Sequence, residues 1–509
     1  MNMLKLNRMK NNRKLSAIIS YLTLFLSIVL GLLYTPWFVS ILGDSNYGLY
    51  TLAYSTVNIV LIDFGISSAI SRFLSNYYAK NEYKYANNFL GIVSKLYMII
   101  AFIIGITLAI LFFNIDTIYV SLTSNELSIF KNLFILIALF SIFSFPFLSL
   151  NGILLSNELF IFIKICNLIQ KISSIIFAII VLLLGYNVYA VVLINILIGF
   201  IMILIKLIYI NLNTRVKINF KYRNSNLTKE IFSFSLWVTI SQISLRCIFN
   251  ITPTILGIVA NTSAITIFGL ASSLEGYVYS FSEAINGLYT TEIAKIYTKK
   301  NSSDLLTDLM IKIGRLQVYL IGLILIGYVI IGKTFIYLWL GEKYINVYYC
   351  SLFMIIPSIL DLPQQIGRTS ILIKGKVKYQ AIIYIIMAII NIILTFQFVK
   401  IFGVIGAGLS ISISYLFRTF CMNVLYYKIV NINLKYYFRE TYKSWIYPCI
   451  FTLGIGKILN NLINYHSFPF FILKCAIIII IYCILLWVYS FNEYEKNLIK
   501  GCFFKINPK

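Results

Sequence analysis

Charge is scarce in this chain. Only 12% of its 509 residues are Asp, Glu, Lys or Arg, against about 25% in an ordinary soluble domain. Acids are scarcer still, 17 against 42 basic residues. The single histidine, His466, cannot assemble a metal site alone. The eight cysteines lie in or beside apolar runs with no CxxC pair, so neither a disulfide framework nor a zinc site is indicated. Too little polar sequence remains for a separate catalytic domain. What is abundant is apolar. Sixty per cent of the chain, about 305 residues, is in the AVILMFWYC set, and at roughly 20 residues per span that sets a ceiling of about 15 membrane-crossing helices.

A net charge of +25 in a soluble protein points to nucleic acid. Here the basic residues cluster in short gaps between apolar runs, the pattern of cytoplasmic loops, so nucleic acid is excluded as a partner. The basic start (Lys5, Arg8, Lys10, Arg13, Lys14) resembles a signal-peptide n-region, but the apolar run from Ala17 to Leu42 is too long and has no small-residue cleavage site. It is read as a retained first span.

Fourteen apolar runs follow one another: 16–42, 47–73, 88–113, 126–155, 159–184, 188–212, 230–260, 262–294, 310–340, 346–373, 378–400, 402–428, 444–464 and 467–491. They are continuous, unlike the ~10-residue alternating segments of a membrane barrel. The fold class is therefore an all-α polytopic membrane protein of about fourteen transmembrane helices. With a cytoplasmic N-terminus, the inner loops collect Arg72, Lys80 and Lys84; Arg215, Lys217, Lys221, Arg223 and Lys229; Lys295, Lys299 and Lys300; Lys374, Lys376 and Lys378; Lys428, Lys435, Arg439 and Lys443; and a basic tail. The outer loops hold few basic residues and carry Asp44, Asp116, Glu126 and Glu342. This is the positive-inside asymmetry repeated along the chain, and it puts both termini in the cytoplasm. No outer loop exceeds about fifteen residues, which disfavours a membrane-bound synthase or ligase working outside the bilayer.

The two halves match at a nearly fixed offset. Thr35-Pro36 recurs as Thr252-Pro253, Tyr47-Gly48-Leu49 as Phe268-Gly269-Leu270, Asp63 as Glu283, Lys80-Asn81 as Lys300-Asn301, Pro146 as Pro363, and the 153–155 triplet at 372–374, with offsets of 217–221. Six helices per repeat is an even number, so both copies enter the membrane in the same sense. The lobes are then related by a pseudo-twofold along the membrane normal, with a cavity between them. The organisation read from this is a basic N-terminus (1–15), an N-lobe (16–212), a basic inter-lobe loop (213–229), a C-lobe (230–428), two appended helices (429–491) and a tail (492–509).

The stretch TPWFVSILGDSNYGLYTLAYSTVNIVLIDFGISSAISRFLSNYYAKN resembles the first two helices of Wzx-type polysaccharide flippases, which belong to the MOP superfamily with MATE exporters and lipid II flippases. The resemblance rests on Leu42-Gly43, Tyr47-Gly48-Leu49-Tyr50, Asp63-Phe64-Gly65 with Arg72, and the Gly269-Leu270 helix closing on Ala294-Lys295. It implies translocation of undecaprenyl-diphosphate-linked oligosaccharide units from the inner to the outer leaflet of a bacterial cytoplasmic membrane. Alternating access is the implied mechanism, for O-antigen, capsule or other surface polysaccharide. It implies no enzymatic step, no cofactor beyond a coupling cation or proton, membrane lipids around a monomer, and a polysaccharide polymerase and chain-length machinery as partners. A MATE-like cation-coupled exporter of small organic molecules is the alternative. Basic intramembrane residues argue against it, because cationic drugs favour an acidic cavity.

A charged side chain at mid-membrane costs roughly 2.5–3.5 kcal/mol on insertion scales, so each one asks for a reason. Arg246, with Gln242, Ser241 and Ser244 alongside, suits a diphosphate, since a guanidinium offers a fork of N–H donors. The competing reading is an ion pair with Glu275 or Glu283. Lys171 is a second substrate candidate. Arg72, at the inner mouth, attracts anionic headgroups or merely anchors the helix. Glu275, Glu283, Asp63, Asp361 and Arg418 are candidates for ion coupling or intramembrane pairing. Lys131, Lys333, Lys457 and Lys474 lie near the outer ends, where they can snorkel. Pro36, Pro146, Pro253 and Pro363, in the first and fourth helices of each repeat, are candidate hinges, because proline removes a helix hydrogen bond.

Overall fold

A computed structural model describes residues 13–214, 217–287, 289–297, 302–462 and 467–497. Arg215, Lys299, Lys300, His466, Cys502 and the outermost basic residues of both termini lie outside the described residues. The architecture is helical throughout, and no strand occurs among the described residues. The helices are α1 (Arg13–Val60), α2 (Ile66–Ala79), α3 (Tyr83–Phe113), α4 (Ser124–Ser144), α5 (Ser149–Ser156), α6 (Phe160–Leu183), α7 (Val188–Asn213), α8 (Ser225–Val259) and α9 (Thr262–Gly287). They continue as α10 (Thr290–Ile296), α11 (Ser302–Leu340), α12 (Ile345–Ile355), α13 (Gln365–Ile373), α14 (Val377–Phe402), α15 (Val404–Leu425), α16 (Leu434–Leu462) and α17 (Phe468–Leu485).

Eleven segments of the described chain are helical, long and apolar enough to cross a membrane. The difference from fourteen has a physical cause. The first two apolar runs fall within α1, where Gly43 (φ 76°, ψ 163°), a backbone shape that favours glycine, separates two helical halves that count as one segment. The runs at 262–294 and 444–464 fall on α9 and α16, whose polar side chains keep them below the apolarity of the others.

The contacts divide the chain into two compact units, Met1–Gly269 with Tyr384–Val404, and Leu270–Ile383 with Ile405–Lys509. In the first, α1 packs on α4, α6 and α8, α2 on α5, and α6 on α7. A capping box starts α4: Thr123 accepts from the Glu126 amide while Glu126 accepts from the Thr123 amide. In the second unit, α11 packs on α12, α16 and α17. Arg315 on α11 is buried with Glu495, at 2.6 Å, and also donates to the carbonyls of Ser490 and Glu440.

Pro146 and Pro363 occupy equivalent breaks. Each sits in a 3-10 turn, Phe145–Leu148 between α4 and α5 and Leu362–Gln364 just before α13. Pro36 and Pro253 instead lie inside helices, Pro36 in α1 ahead of the Gly43 break and Pro253 in α8. The threonine before each, Thr35 and Thr252, donates to the carbonyl four residues back, Gly31 or Ile248, at 2.7 Å.

Candidate substrate site

The first unit builds its site at the break between α1 and α2. Phe64 (φ 51°) and Gly65 (φ 64°) turn the chain in the left-handed region, which interrupts the helical ladder. The interruption leaves the Leu61 carbonyl outside the helix, and Arg246 of α8 donates its Nη1 to it at 2.5 Å. Asp63, in the same break, accepts from the Ser67 amide and hydroxyl at 3.2 Å and from Tyr97 Oη at 2.5 Å. Asp63 and Arg246 also interact electrostatically. The arginine therefore sits with the α1–α2 break. Its side chain is exposed, and so is Gln242 one turn earlier on α8. Ser241 and Ser244 turn inward, each bonded to its own helix through Trp237 O and Ile240 O. An exposed guanidinium with an amide at i−4 is a pair of forked donors aimed off one helix face. Arg72 lies on α2, and its side chain is not among those described.

Lys171 of α6 is half-buried and reaches the Ser27 carbonyl of α1 at 2.8 Å. Lys206 of α7, which the apolar-run reading passed over, reaches Asn151 Oδ1 of α5 at 3.1 Å. Nothing in the local pattern singled it out, because it lies near a helix end where snorkelling accounts for a lysine.

The second unit neutralises its charges internally. Asp361 lies just before the Pro363 turn and is 5% exposed. It takes Arg418 of α15 at 2.5 Å and Arg368 of α13 at 3.3 Å. Arg418 stacks over the Tyr415 ring at 4.2 Å. Glu275 of α9, 4% exposed, interacts electrostatically with both Arg418 and Asp361. Four of the charges thus converge, three of them foreseen singly; Arg368 was not singled out. Glu283, two turns along α9, is exposed. Among the described residues no group of three His, Cys, Asp or Glu side chains could hold a metal ion.

Residues 15–291 match the family described as polysaccharide biosynthesis protein. No curated protein matches the chain in sequence. Among solved structures, the chain resembles a lipid II flippase, MurJ, in an inward closed conformation, with a TM-score of 0.74 at 16% identity, over 95% of this chain and 100% of that one. It also resembles a multidrug resistance MATE family transporter of the MOP superfamily, inward-facing, with a TM-score of 0.63 at 14% identity, over 82% of this chain and 98% of that one. A third likeness is to a MOP superfamily transporter from Pyrococcus furiosus, with a TM-score of 0.54 at 14% identity, over 83% and 95%. The chain belongs to the polysaccharide biosynthesis protein family and has the multi-pass membrane fold of the MOP superfamily.

Proposed function

We propose that this protein is a flippase that moves undecaprenyl-diphosphate-linked oligosaccharide repeat units from the inner to the outer leaflet of the bacterial cytoplasmic membrane, by alternating access and without a chemical step. The observation that carries the reading is the exposed Arg246–Gln242 pair at the α1–α2 break, set in a chain whose family is one of polysaccharide biosynthesis. A diphosphate is a strong acceptor for a guanidinium, and charge-assisted bidentate bonds supply both affinity and orientation. The fold likeness supports the same reading, since a flippase for lipid II aligns with 95% of this chain. The multidrug exporter reading fits less well. Its structural relative aligns with 82% of the chain, and lysines and arginines outnumber acids in the apolar helices of the first unit. Surface-polysaccharide polymerase and chain-length proteins are the partners this role would require.

The test is transport with variants at Arg246. In cells lacking the protein, lipid-linked repeat units accumulate facing the cytoplasm, and wild type restores surface polysaccharide. Arg246→Lys keeps the charge without the fork and should restore it weakly. Arg246→Ala should restore none while inserting at normal levels. If Arg246→Ala instead lowers the protein level, and adding Asp63→Asn brings back both level and transport, the arginine belongs to a structural pair and the substrate assignment fails.

A further inference from the structure

The loop between α7 and α8 is fastened to α3. The Lys217 amide donates to Asn87 Oδ1 at 2.8 Å, the Asn219 amide to the Asn87 carbonyl at 3.2 Å, and Asn219 Nδ2 to Asn88 Oδ1 at 2.7 Å. About one turn further along α3 stands Gly91, where a Cβ would lie 1.8 Å from the Asn219 carbonyl oxygen. A turn beyond that, Lys95 donates to the Tyr222 carbonyl at 3.0 Å. Asn87, Gly91 and Lys95 follow one another at intervals of four, so the loop runs along one face of the helix. The shape of the loop is set as well. Asn219 Oδ1 accepts from the Lys221 amide at 3.2 Å and the Asn219 carbonyl from the Tyr222 amide at 3.4 Å. This is an Asn-led turn with Phe220 and Lys221 at its corner.

The length of α3 gives the depth of the attachment. Lys95 to the helix end at Phe113 is 18 residues, about 27 Å at 1.5 Å per residue. That is close to the roughly 30 Å of bilayer hydrocarbon. Lys95 therefore lies near one edge of the apolar layer, and Asn87 and Asn88, about 11 Å earlier, lie among the headgroups. The loop they hold presents Lys217, Lys221 and Arg223, all exposed. Between them stand Ile218 and Phe220, 43% and 47% exposed. No acid occurs between Glu158 and Glu230. Large apolar side chains displayed at headgroup depth among cations match a surface that is anionic on top and apolar beneath.

We propose that residues 217–223 form a fixed docking site for anionic phospholipid. Lys217, Lys221 and Arg223 meet the lipid phosphates, and Ile218 and Phe220 enter the boundary between headgroups and acyl chains. The segment that joins the two sequence repeats is thereby held by α3 on one side and by the bilayer on the other. The proposal does not depend on the flippase reading.

Trypsin reads this site directly, because it cuts after Lys217, Lys221 and Arg223. The full-length protein is placed in nanodiscs of phosphatidylglycerol or of phosphatidylcholine, which leave both membrane faces open to the protease. Each basic side chain near an anionic surface adds about fivefold to binding, so phosphatidylglycerol should slow cleavage within 217–223 by at least about tenfold. The Ile218→Ser/Phe220→Ser variant keeps every cleavage site and every bond to α3. Its cleavage in phosphatidylglycerol should rise toward the phosphatidylcholine rate. Should the double variant insert poorly, Phe220→Ser alone carries the same comparison. Equal cleavage of wild type in the two lipids overturns the proposal. So does a serine variant protected as well as wild type, since anionic lipid would then be acting on the protease and not through a docked loop.

Discussion

At the scale of the residue, the molecule handles interior charge in two ways. Asp361 is held by two guanidinium groups, and Glu275 balances the second of them. Removing ions from water costs several kcal/mol each, so a buried pair contributes little net stability while intact and much destabilisation when one partner is lost. Arg418→Met leaves Asp361 with Arg368 alone, at the longer distance, and removes the cation beside Glu275. It should lower unfolding stability in detergent by about 3–5 kcal/mol, seen as a fall in the apparent Tm. Adding Asp361→Asn removes the buried carboxylate that lost its closer guanidinium and that repels Glu275, so the double variant should be more stable than Arg418→Met. A double variant no more stable than the single one would show that the cluster is not a structural pin. Single mid-helix charges are legible in sequence because their cost is legible. Their partners are not. Arg246 faced two glutamates of the neighbouring apolar run as plausible partners, yet a break at 61–65 offers it a carbonyl and Asp63. That break depends on positive φ at Phe64 and Gly65, which hydropathy does not register.

At the scale of the element, glycine decides where helices touch. A Cβ at Gly48 would run into the Thr262 carbonyl, so α1 and the start of α9 approach backbone to backbone within the first unit. The seam is closed by hydroxyls. Ser45 and Thr262 both donate to Glu126 Oε1, at 2.8 and 2.9 Å, and Thr266 donates to the Asp44 carbonyl at 2.7 Å. Gly48→Ala should therefore destabilise by about 1–3 kcal/mol, the range for overpacking against atoms that cannot move. Gly276→Ala is the control on α9. Nothing lies within 4 Å of its Cβ position, and alanine is the better helix former, so the apparent Tm should hold or rise. Equal losses at both positions would mean that the seam is not tight. The proline turns show what repeat reading can and cannot reach. The offset between Pro146 and Pro363 marked equivalent positions, and both became 3-10 breaks. The same logic applied to Pro36 and Pro253 found prolines inside helical segments rather than in 3-10 turns, where the preceding threonines donate to nearby carbonyls. A proline fixes its own φ but does not say how the neighbours answer.

At the scale of the whole molecule, the basic residues carry the topology. Hydropathy alone finds eleven crossing segments among the described residues, because α9 and α16 are diluted by polar side chains and the two halves of α1, on either side of Gly43, count as one segment. Counting apolar runs between polar gaps instead gives fourteen, and the lysines and arginines concentrate in the inner gaps, except the short gap at 155–159, which holds Glu158 and no basic residue. The two counts differ where polar groups sit inside helices, and α9, which carries Glu275 and Glu283, is such a place. A reporter that distinguishes the two sides of the membrane decides between them. Fused after Lys221 or Lys300 it should read cytoplasmic, and after Asn187 or Asn261 it should read external. The pair flanking α9 is the informative one. If α9 crosses, Asn261 and Lys300 read opposite sides. If its polar side chains keep it from crossing, they read the same side, every later loop inverts, and the basic gaps at 374–378 and 428–443 fall outside. The energetic argument favours crossing. Inverting those gaps would export seven basic residues (Lys374, Lys376, Lys378, Lys428, Lys435, Arg439 and Lys443) against the positive-inside bias, whereas inserting α9 carries two carboxylates, one of which, Glu275, lies beside the Arg418 guanidinium.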